Sequence, residues 1–224
     1  MLQIFIYGLL SSIHIYICGY IFHKIFINQK YSFENNLFEL AIYGAFVLSF
    51  IALILNFFIS LDKITNDLIF IIPFFIFFIF FFNKILIFKI IIYSIPISLM
   101  FLFTLSYDNT YRPDAGLYHL PYISILNDNK IIIGINNIHF RFGHTSILQY
   151  LSSIYNNHLF DIKGINIPSC LIFSNFIWNI IFEIFNKKNN QKLKFFIILI
   201  FIFIMFRINR YSDFGNDAPA HLLF

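Results

Sequence analysis

Charge is what this chain has least of. Asp, Glu, Lys and Arg make up 12% of its 224 residues, about half the share of an ordinary soluble domain. A soluble surface built from this composition would expose apolar patches large enough to drive association, so a soluble globular domain is excluded. Cysteine is nearly absent as well. Cys18 and Cys170 each sit alone inside an apolar run, which excludes a disulfide framework and any paired-cysteine metal spacing. They read as small buried hydrophobes. No GxGxxG run and no P-loop is present, so the glycines form no known nucleotide cradle. The stretch MLQIFIYGLL has no basic residues ahead of its apolar run and no small-residue cleavage site after it, which excludes a cleavable signal peptide. The net charge of +4 comes from scattered lysines and arginines. The densest group, Lys187, Lys188, Lys192 and Lys194, lies between two apolar runs, a placement that belongs to membrane topology rather than to nucleic-acid binding.

What the chain has in abundance is apolar length. Hydrophobic residues are 59% of the sequence and aromatics 21%. A bilayer core of roughly 30 Å takes about 20 helical residues to cross. Six runs approach or reach that length, at 2–22, 37–59, 68–83, 85–106, 166–186 and 195–209. The expected fold class is an all-α, polytopic transmembrane helical bundle with the lipid bilayer as its constant partner. The third run carries Pro73, and Asn83-Lys84 is the expected turn into the fourth. The closing APAHLLF starts like a seventh span, with Asp217 as a helix N-cap and Pro219 in the first turn, as expected for part of a longer protein. The organisation is four spans in 1–106, a polar loop in 107–165, and two spans plus the start of a seventh in 166–224. Lysines prefer the cytoplasmic ends of short loops. Placing Lys187 to Lys194 inside puts 107–165 and 210–217 together on the outside, with Lys24, Lys84 and Lys89 inside. Lys63, Arg207 and Arg210 count against that arrangement.

The loop holds the chemistry. Its core reads DAGLYHLPYISILNDNKIIIGINNIHFRFGHTS from Asp114, and gathers Asp114, His119, His139, Arg141 and His144 with Gly116, Gly134 and Gly143. Asp114 is placed to cap a short helix, to act as a general base, or to bind a hard divalent cation. The histidines lack the i, i+4 pairing of a zinc helix and read as interfacial hydrogen-bonders rather than metal ligands. In an extended HFRFG run, His139 and Arg141 would face one side and suit a phosphate, or simply lipid headgroups. Residues 144–156 alternate apolar and polar positions at helical spacing. They predict an amphipathic helix in the membrane interface, with Leu148, Leu151 and Tyr155 turned to the apolar layer. Asp213, Asn216, Asp217 and His221 form a second polar cluster that topology brings to the same face. The element lengths predict Asp114 within about 10 Å of Arg141 or His139.

These residues carry a resemblance. Asp114, Gly116, Leu117, Tyr118 and His119, then Gly134, Asn137, His139, Arg141, Gly143 and Ser146 resemble a motif of bacterial multi-spanning membrane proteins, and GNDAPAH at 215–221 is similar to a further shared element. Those proteins in turn resemble the GT-C superfamily of lipid-linked-sugar glycosyltransferases. The resemblance implies a multi-pass protein of the bacterial inner membrane, with a polyprenyl-phosphate sugar as donor at the extracytoplasmic face. It implies catalytic roles for Asp114, Tyr118 and His119, with a possible divalent cation at Asp114, and phosphate-binding roles for His139 and Arg141. The chain departs from GT-C layout in lacking Pro-Pro after His139 and in placing four spans before the loop. The alternatives are a structural or assembly subunit without chemistry, and a transporter or flippase.

Overall fold

The structure, a computed structural model, describes residues 1–27, 37–107, 115–143, 146–186 and 190–206. Within them the chain is helical and contains no strand. Helix α1 spans Leu2–Phe22 and runs on as a π-helical turn, His23–Ile27. It is followed by α2 (Leu37–Asn56), α3 (Lys63–Phe80) and α4 (Lys84–Tyr107). A π-turn at Ala115–His119 leads into α5 (Leu120–Asp128). Two 3₁₀ turns precede α6 (Ile147–Tyr155), and α7 (Ile167–Phe185) and α8 (Gln191–Met205) complete the described chain. Five helices, namely α1 to α4 and α7, are long and apolar enough to cross a membrane. The protein is a multi-pass membrane protein. The expected sixth span corresponds to α8, which has 15 described residues. The expected seventh lies outside the described residues.

Pro73 does not interrupt α3, which is continuous through it. The helix stops at the expected turn. There the Asn83 side-chain carbonyl accepts the Ile85 and Leu86 N–H groups, satisfying two of the donors that open α4. At the other end of α3, Asp62 accepts the Thr65 N–H at 2.8 Å. That hydrogen bond holds the Asp62 carboxyl below its usual pKa. A depressed carboxyl stabilises the fold at neutral pH, and the contribution is lost as pH falls through the lowered value. Asp62→Ala is therefore expected to cost about 0.5–1 kcal/mol at pH 7, the low side for a cap because the carboxylate is exposed. In an acid titration of thermal stability, wild type and variant should converge.

The bundle is centred on α1, which packs against α2, α4, α3 and α7. Helices α1 and α2 cross at Gly19 and Gly44. A Cβ on Gly19 would stand 1.9 Å from the Leu40 carbonyl oxygen, and one on Gly44 would stand 2.0 Å from that of Ile15. Only glycine allows two backbones this close, and close approach is what holds apolar helices together where no hydrophobic force separates protein from lipid. The outward faces of α3 and α4 remain apolar and exposed, with Phe75, Phe78, Ile79, Ile85 and Phe88 among them, as contact with lipid requires.

Asparagines tie the 115–166 region to the bundle. Asn66 is fully buried, and its amide donates to the carbonyls of Leu61 (2.7 Å), Ser153 (2.8 Å) and Asn156 (3.2 Å). Asn127 donates to Leu61 and to Ser153 Oγ (2.9 Å). Asn56 donates to the Asn129 carbonyl at 3.0 Å, and the Ile131 N–H returns a bond to the Asn56 carbonyl. Backbone without a regular ladder must find partners elsewhere, and these amides supply them.

Candidate functional site

The predicted helix at 144–156 forms as α6, but its setting differs from the expectation. Ser146 caps it, and the Gln149 side-chain carbonyl accepts the Ser146 N–H at 3.0 Å, which completes a capping box. Leu151, Ile154 and Tyr155 are fully buried, and the polar Gln149, Ser152 and Ser153 are buried as well. The helix packs against α2, α3, α5 and α7 rather than laying one face on lipid. Tyr155 reaches His14, its hydroxyl lying 3.1 Å from Nδ1. His14 is about 18 Å along α1 from Leu2 at 1.5 Å per residue. The polar face of α6 is buried because protein partners meet it: Asn66 and Asn127 at Ser153, and His119 at Gln149.

The HFRFG run is likewise a tight turn and not an extended strand. Phe140–Gly143 is a 3₁₀ turn, and the Arg141 N–H donates to His139 Nδ1 at 3.3 Å. That bond leaves Nε2 as the protonated nitrogen of the neutral His139 ring. The ring lies 5.2 Å from Phe140 and 5.3 Å from Phe142, and Phe142 packs on Tyr122 at 5.8 Å. Before this turn, Gly134 takes φ +82°, a left-handed value that disfavours any side chain.

The two halves of the motif meet through Arg141. Its guanidinium lies 4.8 Å from the centre of the Tyr118 ring and 5.8 Å from that of Phe140. Tyr118 in turn meets His119 at a tilt, with ring centres 4.1 Å apart and planes at 42°. His119 is buried, and Gln149 Nε2 lies 3.5 Å from its Nδ1, at the long end of hydrogen-bonding range. Since Gln149 already commits its carbonyl to Ser146, its amide is the donor here. His119 then carries its proton on Nε2. Arginine, tyrosine and histidine thus form one cluster, with the Tyr118 ring in contact with both the Arg141 guanidinium and the His119 imidazole. A cavity of about 300 Å³ in the same region is bordered by Tyr122, Asn136, Phe142 and Tyr150. Burial raises the Tyr150 phenol above its usual pKa, and a hydrogen bond from Tyr122 partly offsets this, so it is a neutral donor at physiological pH.

Of the residues singled out from the sequence, the structure brings together Tyr118, His119 and Arg141, with His139 in the same turn as Arg141. Asp114, His144, Asp213, Asn216, Asp217 and His221 lie outside the described residues, as does the predicted distance from Asp114 to Arg141. Among the described residues no three His, Cys, Asp or Glu side chains are grouped as metal ligands would be. Two participants were not anticipated. Gln149 carries no signal in the sequence beyond its polar position in the 144–156 pattern. His14 had a visible signal, an ionisable side chain inside an apolar run. Its ring packs on Phe70 and Phe74, at 4.5 and 5.7 Å.

Lys63, the positive charge that counted against an outside location, pairs with Asp161 at 2.5 Å. Asp67 similarly holds His158 at 2.6 Å.

No curated protein matches the chain, and no solved structure does. The family described as "Domain of unknown function (DUF8201)" matches residues 1–224, and the chain belongs to that family.

Proposed function

We propose that the protein is a GT-C-like glycosyltransferase of the bacterial inner membrane that takes sugar from a polyprenyl phosphate at the extracytoplasmic face. The observation that carries this reading is the Arg141–Tyr118 contact, which fixes a cation on a ring that follows an acidic residue, Asp114, by four positions. In the reaction an acceptor hydroxyl oxygen attacks the anomeric carbon, and the bond from that carbon to the phosphate oxygen breaks. The electron pair leaves with the lipid phosphate. Arg141, with His139 Nε2–H beside it, stabilises that developing negative charge. Asp114 orients the hydroxyl and takes its proton. Tyr118 holds the guanidinium in place, and His119 holds Tyr118. Asp213, Asn216, Asp217 and His221 complete the acceptor side from the neighbouring segment. A divalent cation at Asp114 would offset charge on the phosphate; the described residues offer it no ligand set, and no step depends on it.

A structural or assembly subunit is the second reading. The asparagine clamps and the buried His119–Gln149 pair favour it, because they hold the motif in place without needing a substrate. One experiment separates the two. Asp114→Asn in the full-length protein is expected to abolish the cell-surface glycan while the protein accumulates normally. Arg141→Lys, which keeps charge but loses the planar fork, should lower transfer by at least about tenfold, a loss of about 1.4 kcal/mol of transition-state stabilisation. Unchanged glycan in both variants would remove the catalytic reading and leave the structural one.

A further inference from the structure

The opposite end of the bundle carries a second site. Lys24 follows the last turn of α1, and Lys89 projects from the second turn of α4. Together they flank a cavity of about 210 Å³ whose polar wall includes Tyr20, His23 and Asn83 and whose apolar wall includes Leu40. Lys24 Nζ lies 5.6 Å from the Tyr20 ring, and both residues line the cavity. Below the cavity the surface becomes fully apolar, with Ile85, Phe88 and Ile92 exposed along α4. The site is therefore amphipathic in one direction, with cations at the rim and lipid-facing hydrocarbon beneath.

The charges of the described residues are unevenly divided between the two ends. The motif end sets Lys63, Lys130, Arg141 and Lys163 against Asp62, Asp67, Asp128 and Asp161. The cavity end sets Lys24, Lys84, Lys89, Lys192 and Lys194 against Glu39 and Glu183. Glu39 lies within electrostatic reach of His23, so one carboxylate borders a site supplied with two lysines and a histidine. Lysines at such a boundary extend their stems along apolar surface and hold their ammonium groups at headgroup level. A basic pocket between spans on the lysine-rich side is suited to an anionic headgroup.

We propose that this cavity binds the phosphate of an anionic membrane lipid, with Lys24 and Lys89 as its counter-charges and the acyl chains lying along the exposed face of α4. A phosphate could reach the cavity from a phosphodiester lipid or from a soluble phosphate ester, and the test distinguishes them. The full chain is purified in detergent and studied by native mass spectrometry with phosphatidylglycerol or with phosphatidylcholine of matched acyl chains. Wild type is expected to retain phosphatidylglycerol about tenfold more than phosphatidylcholine. Lys24→Gln with Lys89→Gln should abolish that preference, and Lys24→Arg with Lys89→Arg should restore it. Lys84→Gln with Lys192→Gln removes the same charge outside the cavity and should leave the preference intact. Equal retention of the two lipids by wild type would overturn the proposal. Equal loss in both glutamine pairs would also overturn it, since it would show general attraction and not a site. If glycerol 1-phosphate displaces phosphatidylglycerol at equal concentration, the lipid assignment falls. Glycan synthesis need not change in any of these variants, so the outcome is separable from that of Asp114→Asn.

Discussion

Gly19→Ala and Gly44→Ala are each expected to prevent the chain from accumulating as a folded monomer in detergent. The added methyl carbon would stand 1.9 Å from the Leu40 carbonyl oxygen in the first variant and 2.0 Å from the Ile15 oxygen in the second. Carbon and oxygen need more than about 3 Å, so the two helices would have to separate by an ångström or more. The obstructing atoms are backbone, and no rotamer change relieves them. Ordinary overpacking costs about 1–3 kcal/mol, and here the loss extends along the whole α1–α2 interface, including buried Ile15, Leu40, Ala41 and Leu48. Fluorescence-detected gel filtration over a temperature ramp is a direct readout. Gly143→Ala is the internal control. Its methyl would meet Asn136 Cβ at 3.4 Å, an ordinary contact, so its melting curve should match wild type. Wild-type behaviour of Gly19→Ala and Gly44→Ala would mean that the helices do not cross this closely.

Leu151→Asp is expected to have an effect of comparable size. Leu151 has no exposed surface, and α6 is enclosed by α2, α3, α5 and α7. Truncating such a leucine to alanine costs about 2–5 kcal/mol. A carboxylate there adds the cost of a buried charge without a partner, more than most folded chains can absorb. Leu151→Ala should therefore survive with a lowered melting temperature, whereas Leu151→Asp should yield no monodisperse peak. Ile133→Asp is a sharp contrast: Ile133 is 97% exposed in the turn at Gly134, and the same substitution there should leave folding intact. A folded Leu151→Asp protein would instead return α6 to the membrane interface, where one face can reach water.

Much of this protein could be read directly from its residues. The low charge and long apolar runs left only a helical membrane bundle, because an unsatisfied backbone is too costly in hydrocarbon for anything but helices or closed barrels. The turn at Asn83 was legible because an asparagine between apolar runs has one obvious use, as a cap for the helix that follows. The polar loop stood out because its residue types differ from everything around them.

Other features have no signature in one dimension. Gly19 and Gly44 are ordinary glycines until two helices cross at them. The alternating pattern of α6 predicts a helix, but it cannot say whether water or protein meets the polar face. Asn66, Asn127 and His119 do so, from positions 26 to 87 residues away. Nor can spacing show that Arg141 turns back onto Tyr118, since HFRFG reads as extended until the Arg141 N–H finds His139 Nδ1. The sequence by itself determined the class, the helices and the identity of the polar residues, because these follow from local hydropathy and backbone satisfaction. Only the tertiary structure decided which polar groups meet, because a buried hydrogen bond is favourable only against a partner that the folded chain brings to it.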